Sequence, residues 1–103
     1  MAQVIAVIKY QLKPDSASPF LSLINGEDFI NTVKNYTGFV SYNLVNTEGD
    51  FWCEYIIWES MEAATNGSKL FQTAPANIAL QPYLVLTSFD VSFLEIAAGF
   101  HFL

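Results

Sequence analysis

Residues 39–58 read FVSYNLVNTEGDFWCEYIIW, two runs of β-branched and aromatic residues separated by Asn46-Thr47-Glu48-Gly49-Asp50. Side chains of this kind suit a pleated, half-buried surface, and the glycine-containing break has hairpin length. The stretch therefore predicts strands over 39–45 and 51–58 joined by a turn. If the turn pairs Val45 with Phe51, Leu44 faces Trp52, Tyr42 faces Glu54 and Val40 faces Ile56. The two-residue period of a strand puts Trp52, Glu54, Ile56 and Trp58 on one face with Tyr42, and Asn43, Cys53 and Tyr55 on the other. A carboxylate between two indoles is the feature to explain.

On the N-terminal side, QVIAVIKYQLK (3–13) is rich in β-branched residues and closed by Pro14-Asp15, which predicts a first strand. Residues 16–37 follow with apolar positions at helical spacing: Phe20, Leu23 and Ile24, then Phe29, Ile30 and Val33, then Tyr36. Ser18 is the expected N-cap with Pro19 in the first turn, and Asn25-Gly26 is a place where the helix can divide. Beyond the hairpin, Ser60 is positioned to cap a second helix through Met61, Ala64, Leu70 and Phe71, with Glu59 and Glu62 near its start and Gly67 as an interruption. TAPANIALQP reads as a loop or short helical turn, and 83–96, apolar on both parities over much of its length, as the last strand.

The order is β-α-β-β-α-β. This is the ferredoxin-like α+β arrangement, a four-stranded antiparallel sheet with two helices on one face, and 103 residues make it a single domain over 1–103. With 52% of residues apolar and 16% aromatic, the first, third and last strands carry apolar side chains on both faces. Helices cover one of them. A second copy of the chain is the simplest cover for the other, so a homodimer through that face is expected.

Ten acidic residues against four lysines and no arginine leave a net charge of −6. Without a guanidinium the chain has no bidentate grip for phosphates or base edges, and its field repels polyanions, so nucleic acid is not an expected partner. Ser88, Asp90, Ser92 and Glu95 interrupt the most apolar C-terminal stretch, which argues against a membrane span. The N-terminal MAQVIAVIKYQL has no basic leader, and a cytoplasmic location is expected. Cys53 reads as a small buried hydrophobe. No CxxC or HxxxH pattern is present and His101 is the single histidine, so no metal and no cofactor is expected.

YTGFVSYNLV as a glycine-led second strand, and WESMEAA as a step from third strand into second helix, resemble the dimeric α+β barrel superfamily, in particular the antibiotic-biosynthesis-monooxygenase-like proteins. Trp58, Ser60, Glu62 and Ala63 are the matching positions. The resemblance implies a two-fold dimer with a pocket in each subunit between sheet and helices. It also implies oxidation of phenol- or quinol-type aromatics by dioxygen without a cofactor in some relatives, and no assigned activity in others. Many relatives carry a histidine further along the second helix, an iron ligand in the haem-degrading branch; TNGSKLFQTAP has none, so haem binding is not expected.

Within that frame Glu54 has two readings. Either it reaches water or a partner's lysine and has no chemistry, or it is a general base with a raised pKa in an aromatic-lined cavity, with Tyr42 as its nearest hydrogen-bond donor. Trp58 anchors strand to helix or lines the pocket, and Trp52 walls the pocket or enters the dimer interface. Tyr55 is a further lining candidate. Asn43 is a satisfied sheet residue or holds a substrate carbonyl. His101, flanked by Phe100 and Phe102, is an exposed tail residue or a docked second base. Two functions follow: oxygenation of a small aromatic molecule by Glu54 or His101, or non-catalytic binding of a small apolar ligand by the same fold.

Overall fold

A computed structural model of the chain describes residues 2–100. Strand β1 (Val4–Gln11) leads to helices α1 (Ala17–Ile24) and α2 (Glu27–Lys34). Strands β2 (Phe39–Glu48) and β3 (Phe51–Trp58) form the hairpin. Helices α3 (Met61–Gln72) and α4 (Pro75–Ile78) come next, and β4 (Asp90–Glu95) closes the sheet. The strand order is β2-β3-β1-β4 with every neighbouring pair antiparallel, as the ferredoxin-like reading requires. No helix among the described residues is long and apolar enough to cross a membrane.

Asn25-Gly26 does divide the first helical stretch. Asn25 ends α1, its amide nitrogen donating to the Leu21 carbonyl at 3.0 Å, and Gly26 takes an extended conformation to start α2. Glu27 and Asp28 in the first turn of α2 and Lys34 in the last complement its dipole. The start of α1 differs from expectation: the helix begins at Ala17, with Ser16 and not Ser18 at the N-cap position. Asp15, in the left-handed region at φ 60°, turns the chain immediately before it, which moves the start two residues forward.

The hairpin register also differs from expectation, by two residues. Val45 pairs with Cys53, Asn46 with Trp52 and Glu48 with Phe51, so β2 runs on to Glu48 and the turn shrinks to Gly49-Asp50. Gly49 supplies the positive φ of 55° that a tight turn needs. The Asn46 side chain holds the turn from inside, donating to the carbonyls of Gly49 and Phe51 at 3.0 Å each. An even shift preserves parity, so Tyr42, Trp52, Glu54, Ile56 and Trp58 still share a face.

The last strand is shorter than the apolar run suggests. After Leu80 the chain makes short helical turns over Gln81–Tyr83 and Leu86–Ser88, and only Asp90–Glu95 joins the sheet as a strand. Leu80 and Leu84, exposed by only 3% and 5%, enter the core from these turns. Ser88 pins them to β1, its hydroxyl accepting from the Gln11 amide at 2.9 Å and donating to the Val85 carbonyl at 2.6 Å.

The core lies between the helices and one face of the sheet. One cluster gathers Tyr10, Leu12, Phe20, Phe29 and Leu84, and another Val4, Ala6, Ile56, Trp58 and Ala64. Among the described residues no layer covers the opposite face. Val7 and Tyr55 stand opposite each other there, as do Ile5 and Leu94, and Val45 and Leu94 are exposed.

Candidate functional site

Strand β3 lies between β2 and β1, so its inward side chains form the middle of the floor under the helices. Glu54 is opposite Ile8 on β1 and Leu44 on β2, and only 6% of it is exposed. Tyr42, diagonal to it across the hairpin, donates its hydroxyl hydrogen to Glu54 Oε2. Burial pushes the Glu54 carboxyl from 4.5 up to about 7 because the charged form is the costlier one to desolvate, and the Tyr42 hydrogen bond opposes the rise. The same burial, with the neighbouring Glu54 charge, drives the phenols of Tyr42 and Tyr10 far above their ordinary range. The result is a carboxyl poised between its two forms near neutrality, held by a phenol that stays protonated.

Above this pair is a cavity of about 560 Å³ between the sheet and the helical layer. Phe29, Tyr36, Trp58, Phe71 and Phe93 give it aromatic walls, and the turns after α4 contribute Leu84, Leu86 and Phe89. Trp58 is 2% exposed, stacked at 26° on Tyr36 and edge-on to Phe39, and its buried Nε1 has no hydrogen-bond partner. The indole reaches under α3 at Gly67, where an added Cβ would lie 2.1 Å from Trp58 Cη2. Gly67 does not interrupt the helix, as the sequence suggested; α3 runs through it and uses its missing side chain to admit the ring. Ser60 caps α3 as expected, its hydroxyl accepting from the Ala63 amide at 3.1 Å.

No family model matches the chain, and no curated protein does. Solved structures do. A candidate antibiotic biosynthesis monooxygenase from Caulobacter crescentus CB15 superposes with a TM-score of 0.76 at 19% identity, over 94% of this chain and 92% of that one. SnoaB, a cofactor-independent oxygenase from Streptomyces nogalater, superposes in a mutant form with a TM-score of 0.70 at 15% identity, over 96% and 97%. A dimeric ferredoxin-like protein from an uncultured marine organism gives 0.72 at 8% identity, over 98% and 93%. The chain shares the ferredoxin-like α+β fold of these proteins. At these identities the likeness concerns the backbone, and the chemistry rests on the side chains present.

Within this fold the expected site residues divide among three places. Glu54, Tyr42 and Trp58 meet in the cavity. Trp52 shares their face but packs on Phe20 at 6.2 Å beneath α1, outside the cavity lining. Asn43 and Tyr55 are cross-strand neighbours on the uncovered face, with the sheet between them and the cavity. His101 lies outside the described residues. Sequence reasoning missed Phe29, Tyr36, Phe71 and Phe93 as cavity walls, since periodicity marks them only as inward-facing. The pair Ala64 and Gly67, small residues three apart on the inner face of α3, was the available sign of a large ring beneath. Among the described residues no cluster of three metal-ligating side chains occurs.

Proposed function

We propose that the cavity binds a small aromatic phenol or hydroquinone and that Glu54 accepts its hydroxyl proton, preparing the ring for oxidation by dioxygen. The observation that carries this reading is Glu54 itself, a buried carboxyl near neutrality on the floor of an aromatic cavity of ligand size. Tyr42 occupies Oε2, which leaves Oε1 to accept from the substrate. The phenolate so formed passes an electron to dioxygen, and the two radicals join at a ring carbon to give a peroxide. The proton held by Glu54 returns to the distal peroxide oxygen. The ring carbon then loses its own proton, the O–O bond breaks, and a quinone and water leave. Phenol and dioxygen thus balance quinone and water. Likeness in fold to an oxygenase described as cofactor-independent supports the reading.

An oxygen electrode with a naphthol as substrate tests it. Oxygen uptake beyond the protein-free rate, with naphthoquinone as product, is expected to rise as pH passes through about 7 and Glu54 loses its proton. Naphthol that binds without any catalysed uptake would leave a non-catalytic ligand-binding domain as the function.

The uncovered sheet face supports a homodimer, as does likeness to a dimeric ferredoxin-like protein. Sedimentation equilibrium at micromolar concentration is expected to give twice the chain mass. Val7→Glu, which sets a charge amid Tyr55 and Ser92 at the middle of that face, should halve it. A monomer for the unaltered chain would exclude this assembly.

A further inference from the structure

Among the described residues, no cationic side chain bonds to the buried Glu54 carboxyl. Burial and the Tyr42 hydrogen bond are the influences on its carboxyl, and no lysine is among them. Of the ionisable groups around it, β1 offers Tyr10 and β2 offers Tyr42, both held protonated. The segment after α2 offers Tyr36, and α3 offers Lys69, which lines the rim but is exposed to solvent. The residues that β4 and α2 turn into the cavity are apolar. A desolvated carboxylate in such a setting is stabilised most by a positive charge brought in from outside.

The surroundings suit that charge. Phe29, Tyr36, Tyr42, Trp58, Phe71 and Phe93 all line the space above the carboxylate, and ring faces attract cations through their quadrupoles. A chain with a net charge of −6 also draws cations toward itself. We propose that this cavity binds arylalkylammonium ions, the ammonium donating to Glu54 Oε1 and the aryl group lying among the cavity rings. The inference shares the cavity with the phenol reading but needs no oxidation. Failure of catalysed oxygen uptake would leave it standing, and failure of ammonium binding would leave the phenol reading standing.

Isothermal titration of the full chain with naphthylmethylamine, and with naphthylmethanol as its neutral isostere, tests the proposal. The amine is expected to bind about tenfold tighter than the alcohol at about pH 8, where Glu54 is ionised and the amine still protonated. The preference should shrink at about pH 6, because the ammonium must then displace a proton from Glu54. Glu54→Gln, which keeps the volume and removes the charge, should abolish it at both pH values. The proposal is overturned if the alcohol binds as tightly as the amine to the unaltered chain at the higher pH, if the preference survives in Glu54→Gln, or if neither ligand binds.

Discussion

Glu54→Gln is expected to make the protein more stable in alkaline solution while abolishing the proposed oxygenation. Burial raises the folded-state carboxyl from 4.5 to about 7, so between those values the folded protein holds a proton that the unfolded chain releases. Stability is then greatest below the unfolded value and falls as pH rises through about 7, a loss of about 3 kcal/mol for a rise of this size. Glutamine carries no charge to desolvate, and its carbonyl oxygen still accepts from Tyr42. Melting curves of variant and parent should therefore nearly coincide at about pH 5 and separate by about 10 °C or more, in favour of the variant, at about pH 8.5. Catalysed oxygen uptake should fall about a hundredfold or more, since the amide cannot accept the substrate proton. A variant less stable than the parent at every pH would instead make Glu54 a structural partner of Tyr42.

The second large effect is expected at Gly67. Replacing glycine by alanine within a helix ordinarily stabilises it by about 1 kcal/mol. Here the new methyl would lie 2.1 Å from Trp58 Cη2 and 2.5 Å from Cζ3, far inside contact distance. The indole can yield only by giving up its stacking on Tyr36 and its edge-on contact with Phe39. Overpacking of this kind outweighs the helix gain, and Gly67→Ala should lose about 2 kcal/mol by chemical denaturation. Trp58→Phe shortens the ring, so the double variant Trp58→Phe/Gly67→Ala should recover much of what Gly67→Ala loses relative to Trp58→Phe alone. Additive losses in that cycle would show that the two positions do not meet as described.

Much of the architecture was legible because strands and helices announce themselves by period. Alternation along 51–58 placed Glu54 with both tryptophans, and the β-α-β-β-α-β order specified the sheet. The hairpin register was misjudged by two residues because Asn46, Thr47 and Glu48 look like turn residues, and their membership of β2 depends on the tight turn at Gly49-Asp50. The stretch 83–89 was misread as strand because its apolar residues serve a core packed by short turns, where alternation carries no meaning. The cavity was visible only in outline. Its floor belongs to one strand, whereas its walls come from α2, α3, β4 and the turns after α4, and no local pattern reports how much space remains between two layers.

The placement of Glu54 on β3 has a kinetic consequence. This strand is hydrogen-bonded on both sides, to β1 and to β2, so its amides exchange with solvent only when the sheet itself opens. A side wall, carrying Leu84, Leu86 and Phe89, is built from short helical turns. A few bonds tie them to the end of β1 and the residues just after it, from the Val85 amide to the Gln11 carbonyl, from the Lys13 amide to the Tyr83 carbonyl and from the Gln11 amide to the Ser88 hydroxyl. Local opening there costs far less than separating the strands. A ligand would therefore enter past this side wall while the floor stays fixed, and deuterium uptake in 81–89 would report the frequency of admission while β3 kept its protons.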